Sequence, residues 1–324
     1  MATVALLSNP HSTGNKSLLP RVRSFCARHG DVFHYEVESV EGIHEALRTI
    51  ARVRPKVLVV NGGDGTVQTT LTELHSGDHF RGNPPPVAVL PNGKTNLIAL
   101  DLGATGDPIE ALERVLQLAR HDLTDHIVSR VMISLTGGAR GGKPVLGMFL
   151  GGAGLADALL FCRHKIYPLG LPNGFSHLLT LLAVLASLVL GLRAAFLPPA
   201  ARPLKVSVVS QGERRGRYSL LIVTTLQRLL FNSKAGMPTW TEGGLQLVLI
   251  EQNPVAFVRV LVLGMLGRLG KQSVAGVHLQ NGEQIRIEGE RSRVILDGEV
   301  FRATIDRPIV LTQTAPVPFL RLAA

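Results

Sequence analysis

From Thr3 to about Asp125, short apolar runs alternate with longer amphipathic stretches. Thr3 to Leu7, Val32 to Val37, Val57 to Val60 and Val87 to Leu90 read as strands. The Val57 run is unbroken and β-branched, as in a strand buried on both faces. Helical spacing marks Leu18 to His29, Ile43 to Arg52, the stretch ending near Leu74, and Pro108 to about Arg120. Gly30 stops the first of these helices, and Pro108 suits the start of the last. Prolines keep the segment Gly82-Asn83-Pro84-Pro85-Pro86 out of any helix. Strand and helix in alternation predict a parallel sheet with flanking helices.

The texture changes after Asp125. Val128 to Leu135, Pro144 to Leu150, Leu204 to Ser210, Tyr218 to Thr225 and Leu245 to Glu251 read as strands. So do Gly276 to Leu279, Gln284 to Glu288, Arg293 to Leu296 and Ile309 to Thr312. Short strands with glycine-rich turns predict an antiparallel β domain. Two apolar helical inserts interrupt it, one running from Ser176 to Leu197 and one from Asn253 to Gly270. The expected fold class is an α/β N-terminal domain over residues 1–126 and an antiparallel β-rich C-terminal domain over residues 127–324. The last residues are placed to pack back on the first domain. There are no internal repeats.

Composition narrows the partners. The chain has 324 residues, enough for two cores, and 45% of them are hydrophobic. Its net charge of +10 favours an anionic partner. Three Tyr, one Trp and eleven Phe, none interleaved with the basic runs, argue against a stacking platform for nucleic acid. Cys26 and Cys162 lie far apart without a C-x-x-C pattern, which suggests two reduced, buried thiols. The start Met1-Ala2-Thr3-Val4 has the look of a first strand rather than a leader, so a cytoplasmic setting is expected. Oligomeric state is left open.

Candidate chemistry concentrates in four turns. Val57 to Asn61 runs straight into Gly62, Gly63, Asp64, Gly65 and Thr66. Glycines there let backbone amides approach a polar group, and the opening amides of a helix suit a phosphate. A carboxylate at Asp64 sits oddly among such amides unless a cation bridges it to the anion, so the stretch suggests a nucleotide with magnesium. Asn9 and Pro10 lead into Ser12 and Thr13 after the first strand, and Pro91 to Asn96 follow the fourth. In an open α/β sheet, turns at the carboxyl ends of strands share the ligand-binding edge. Far downstream, Asp297, Gly298 and Glu299 put two carboxylates around a tight turn, and Asp297-Gly298 between apolar runs is a hairpin signal in its own right.

Together these motifs resemble the diacylglycerol kinase catalytic-domain family, with its bacterial lipid kinase and sphingosine kinase relatives, in a fold shared with NAD kinases. The resemblance implies a nucleotide cleft between the two domains, with ATP and Mg2+ as cofactors and a lipid as substrate. It implies that Asn9, Ser12 and Thr13 touch the nucleotide. Gly62, Gly63, Asp64, Gly65, Thr66 and Gln68 would wrap the phosphates, and Lys94, Thr95 and Asn96 would close the far side. By the same resemblance Asp64 would face the magnesium, with Glu242 as a further metal ligand, and Glu299 would be the general base. The implied function is transfer of the γ-phosphate to a lipid hydroxyl, diacylglycerol first among the acceptors.

The chain departs from the family pattern at four places. Thr69 stands where the family has an acid, Lys94 where it has a threonine, and Glu242 where it has an aspartate. The segment Gly154 to Ala158 is one residue longer than its family counterpart. These departures motivate a second reading, a catalytically weak or inactive nucleotide- or lipid-binding protein. An NAD kinase-like enzyme is a third. The run from Leu178 to Leu197 has Arg193 as its only charge and the length of a membrane span. Spanning would split the β domain, so it is read as a domain helix with a membrane-facing side. Arg202, Lys205, Arg214, Arg215 and Arg217 follow it, a candidate docking patch for acidic lipid headgroups. The expectation is peripheral attachment at the inner membrane surface.

Overall fold

The computed structural model describes residues 3–93, 97–138, 142–170, 173–189, 199, 201–226, 244–265, 274–290 and 292–322. The first domain follows the alternation in the sequence: β1 (Val4–Ser8), α1 (Asn15–Arg28), β2 (Val32–Glu36), α2 (Ile43–Val53), β3 (Val57–Asn61), α3 (Asp64–Ser76), β4 (Val87–Val89), α4 (Leu97–Asp101), α5 (Pro108–Arg120) and β5 (Ile127–Arg130). β2, β1, β3 and β4 lie side by side and parallel.

β1 and β3 are buried at every position, and their alternation explains why. Ala5, Leu7, Leu58 and Val60 meet Leu47 and Ile50 of α2 and Leu71 of α3 on one face. Val4, Leu6, Val57 and Val59 meet Val22 of α1 and Leu112 and Val115 of α5 on the other. Each such side chain contributes roughly 1.5–3 kcal/mol of burial. These strands are the rigid floor of the molecule.

The second domain holds β6 (Ile133–Gly137), β7 (Val145–Gly147), β8 (Phe149–Gly152), α6 (Gly154–Phe161), α7 (Asn173–Val189), β9 (Pro203–Val208), β10 (Gly212–Thr224), β11 (Leu245–Glu251), α8 (Pro254–Met265), β12 (Val277–Gly282), β13 (Gln284–Glu288), β14 (Ser292–Leu296), β15 (Glu299–Ala303) and β16 (Ile309–Gln313). The sheet path is β15-β14-β8-β10-β9-β13-β16-β6-β7, with β11 on β10 and β12 on β11; every pair is antiparallel. β17 (Val317–Leu320) returns to the first sheet, parallel to β4 and antiparallel to β5.

Several expected strands come out differently. The run Val128 to Leu135 is two strands in two sheets. The chain crosses between the domains at Met132, where Met132 N donates to Thr314 Oγ1 (3.0 Å) and Thr314 N donates to Met132 O (3.0 Å). The run Pro144 to Leu150 breaks at Met148, which is buried in the first domain's core. β10 begins at Gly212 rather than Tyr218, because its basic start pairs with β9. β15 and β17 had no strand reading; β17 carries Pro318, which lacks a ladder N–H. The helix expected at Leu178 to Leu197 is described only to Val189. Among the described residues no helix is long and apolar enough to cross a membrane.

Candidate active site

The register of the parallel sheet brings three turns together. Ser8 pairs with Asn61 at the carboxyl ends of β1 and β3, and Asn9 N donates to Asn61 O (3.0 Å) just beyond. Leu90 N donates to Val60 O (3.0 Å), which sets the turn after β4 beside them. Asparagines lock the three turns. Asn92 Nδ2 donates to Asn15 Oδ1 (2.5 Å) and Asn61 Oδ1 (2.7 Å). Asn15 Nδ2 donates to the carbonyls of Asn9 (2.7 Å) and Asn61 (3.1 Å). Asn61 Nδ2 reaches Ser8 Oγ (3.0 Å), and Asn9 Nδ2 reaches Thr66 Oγ1 (2.9 Å). Asn9, Asn15 and Asn61 are buried. An unpaired buried amide costs about 1–3 kcal/mol, so this mutual pairing fixes the turns without adding charge.

β3 can enter α3 so tightly because residue 62 is glycine: a Cβ there would lie 2.6 Å from Thr66 Cβ. Gly63 opens the helix in an extended conformation, and no side chain caps it. Thr66 N and Val67 N turn back to Gly63 O (2.9 and 3.1 Å). The positive end of the α3 dipole thus points at the crevice, with Asp64 in its first turn.

The opposite wall is the β14–β15 hairpin. Asp297 (φ 43) and Gly298 (φ 92) both adopt left-handed backbone, the two-residue turn that suits twisted strands. Aspartate tolerates that conformation better than most residues, and glycine adopts it freely. The Asp297 carboxylate accepts from Met148 N (2.8 Å) and Phe149 N (3.0 Å), which fastens the turn to β8. Burial pushes the Asp297 carboxyl up to about 7; the two amides oppose that rise, and the charge of Asp64 adds to it. Gln68 Nε2 donates to Leu296 O (2.8 Å), tying α3 to the same hairpin.

The turn therefore sits over the start of α3. A Cβ on Gly298 would be 3.8 Å from Asp64 Cβ, and one on Gly65 would be 3.5 Å from Glu299 Oε1. Two carboxylates from opposite ends of the chain share a crevice with a helix N-terminus. That arrangement can take up a phosphate, hold a cation against it, and accept a proton from a group brought alongside.

Residues 3–125 match the diacylglycerol kinase catalytic domain. The matched stretch includes the turn from β3 into α3. The whole chain shares its fold with solved structures. One is a diacylglycerol kinase from Bacillus anthracis str. Sterne, 15% identical, covering 98% of this chain and 96% of that chain, with a TM-score of 0.59. Another is an NAD kinase from Archaeoglobus fulgidus in complex with ATP, 14% identical, covering 98% of this chain and 93% of that chain, with a TM-score of 0.50. At these identities the likeness is one of fold. No curated protein matches the sequence.

The crevice contains Asn9, Ser12, Gly62, Gly63, Asp64, Gly65, Thr66 and Glu299. Ser12 Oγ donates to Asn9 O (2.9 Å), and Thr13 is exposed at the rim. Gln68 is buried with its amide on the hairpin carbonyl, so its visible part is to hold the two walls together. Lys94, Thr95, Asn96 and Glu242 lie outside the described residues. Arg21 and Arg23 pair with Asp107 (2.9 Å) and Glu36 (2.7 Å), as a solvated helix face does. Neither cysteine is in a disulfide; Cys162 is buried, while Cys26 is only half-buried. Sequence reasoning missed Asn15, Asn61 and the clamp at Asp297. Asn61 closing β3 was a signal for one of them; Asn15, at the start of α1, carried none.

Proposed function

We propose that the protein is an ATP-dependent lipid kinase that transfers the γ-phosphate of ATP to a lipid hydroxyl, with diacylglycerol as the acceptor. The observation that carries this reading is the meeting of Glu299 with the Asp64–Gly65 turn at the start of α3. The α3 amides and dipole take the phosphates, and Asn9 and Ser12 line the nucleotide side. Glu299 accepts the proton of the lipid hydroxyl as its oxygen bonds to the γ-phosphorus. The bond from that phosphorus to the bridging oxygen breaks, and ADP leaves. The family match over residues 3–125 supports a phosphotransferase, and the ATP in the Archaeoglobus NAD kinase of like fold supports ATP as donor.

The donor set fits magnesium. A hard divalent cation takes oxygen ligands from one or two carboxylates plus phosphates, and Asp64 is a carboxylate set where amides attract those phosphates. Asp64 would hold it, with Glu242 as a second ligand. When bound, the ion neutralises charge on the transferring phosphoryl group.

The acceptor side is the second domain. α7 and α8 pack against each other. Leu178 and Leu182 of α7 and Val255 and Val262 of α8 are each about half exposed. Arg214, Arg215 and Arg217 are exposed on β10, the strand that also pairs with β11 just before α8. Apolar and basic groups on one domain suit the anionic inner surface of a membrane, which gives a cytoplasmic protein peripherally attached to it.

The test is incubation with γ-labelled ATP, magnesium and a mixed lipid extract, with the product identified by mass spectrometry. Labelled phosphatidic acid, lost in Glu299→Gln and Asp64→Ala, is the expected result. Label on another lipid alcohol would correct the acceptor. Label on NAD without lipid would replace the reading with an NAD kinase. No labelled product at all would leave a binding protein.

A further inference from the structure

A second cluster of metal-ligating side chains lies outside the crevice. His44 stands in the first turn of α2, Glu73 in the last turns of α3, and His79 in the segment that leads from α3 towards β4. Their donor atoms all fall within 4.8 Å of one another. Among the described residues it is the one cluster of three or more His, Cys, Asp or Glu with that spacing. Glu73 Oε2 lies 3.2 Å from His44 Nδ1 and 3.9 Å from His79 Nε2. The two imidazoles meet edge to face, with ring centres 4.7 Å apart.

A further observation points to a ligand. The His79 side chain is only 7% exposed, and its Nε2 is buried without a hydrogen-bond partner. Such a nitrogen costs about 1–3 kcal/mol if it stays unsatisfied. Residue 77 is glycine, and a Cβ there would come within 2.4 Å of that same nitrogen. The ring's Cδ2 would lie as close, at 2.5 Å, so glycine at 77 is what lets the imidazole pack there.

We infer that His44, Glu73 and His79 form a binding site for a transition-metal cation, zinc by the chemistry of the set. Two imidazoles and one carboxylate make a three-ligand zinc site that leaves a fourth position for water. Zinc holds such donors at about 2.0–2.2 Å, so nitrogen and oxygen end roughly 3.3–3.5 Å apart. The observed separations need only small rotations to reach that, and His44, at 57% side-chain exposure, is free to make them. Burial holds the His79 imidazole below its usual pKa and the neighbouring His44 adds to that, against the pull of Glu73 and Glu45. Glu73 and Glu45 supply the negative field. The ion would clip the start of α2 to the end of α3 and to the segment feeding β4.

The test uses the full chain with any affinity tag removed. Zinc is titrated against a chromophoric chelator, and cobalt is added as a spectroscopic probe. The expected result is one ion per chain, with the visible absorption of tetrahedral or five-coordinate cobalt. His44→Ala should weaken binding by at least about ten-fold, since even outer-shell partners of a metal are worth that much. His44 is exposed, so this variant folds, and its metal-free Tm should match the parent's. His79→Ala and Glu73→Gln should weaken binding likewise, and His121→Ala should not. Zinc should raise the Tm of the parent and leave that of His44→Ala unchanged. Equal binding by parent and His44→Ala, or no binding tighter than that of scattered surface histidines, would overturn the inference. No readout depends on phosphoryl transfer, so the result stands apart from the fate of the kinase reading.

Discussion

Two strands of this molecule run through glycines into a helix, β3 into α3 and β8 into α6. Both helices carry an acid in the first turn, Asp64 in one and Asp157 in the other. The two acids meet different company. Asp157 receives Arg293 Nη2 at 2.5 Å. Burial pushes the Asp157 carboxyl up more than Arg293 pulls it down. Asp64 stands at an uncapped helix start, across from the Glu299 carboxylate. In the first arrangement the pair of Asp157 with Arg293 ties α6 to β14, and it is architecture. The second gathers like charges at a positive helix end, which suits a ligand that brings both phosphate and cation. The β14–β15 hairpin serves both passages. Asp297 fastens it to β8, and Glu299 leans over α3.

The comparison breaks most sharply on activity. Glu299→Gln should lower kcat about 10²–10⁴-fold, the range for loss of a general base, with thermal unfolding unchanged. Arg293→Met, which disturbs the Asp157 side, should keep turnover within about ten-fold of the parent. Steady-state kinetics on the lipid acceptor measure both. Equal losses at the two sites would mean that the two passages are not functionally distinct.

Parts of this were legible in the sequence because local rules decide them. The β-branched run before Gly62 can only be a buried strand, and Asp297-Gly298 meets the backbone demands of a two-residue hairpin by itself. The change from alternating helix and strand to short strands marked the two kinds of sheet. Other parts depend on partners that local pattern does not name. β5 is half-exposed along its length and β17 contains Pro318, so neither advertises a place in the first sheet. The asparagine web joins residues from three turns, and an asparagine in a turn looks the same whether it is solvated or buried. In the Asp297-Gly298-Glu299 turn two carboxylates were visible. Which one clamps the fold and which faces the crevice was settled only by the pairing of β14 with β8. His44, Glu73 and His79 meet only because α2 packs on α3.

The clamp gives the next largest effects. Asp297→Ala removes the acceptor of two backbone amides, Met148 N and Phe149 N, and should cost about 2–4 kcal/mol in urea unfolding. The same group should make stability depend on pH. The folded carboxyl titrates near 7 and an unfolded aspartate near 4, so between those values the folded chain binds the extra proton. Stability should therefore fall as pH rises from about 4 to about 7, by a few kcal/mol at most, and level off above. Urea midpoints across that range measure the slope. Asp297→Asn should flatten it, and an unchanged slope in that variant would assign the dependence to other groups.

The smallest effect tests the architectural half of the comparison. Arg293 is partly exposed, so its pairing with Asp157 is screened by water, and Arg293→Met should cost only about 1 kcal/mol at neutral pH. The sign of its pH dependence is the sharper test. Without Arg293, burial of Asp157 is opposed only by the weaker charge of Arg202, and its folded-state pKa moves further above the unfolded value. A carboxyl raised in the folded state weakens stability as pH rises through that pKa. The deficit of Arg293→Met should then be largest at neutral pH and shrink in acid, where Asp157 is protonated in folded and unfolded chains alike. Combining Arg293→Met with Asp157→Asn should recover most of the loss, since the lone buried charge goes with its partner. If the double variant is as unstable as the sum of the two single ones, the pair is not coupled. Asp157 would then owe its place to the packing of α6, and the contrast with Asp64 would rest on the crevice alone.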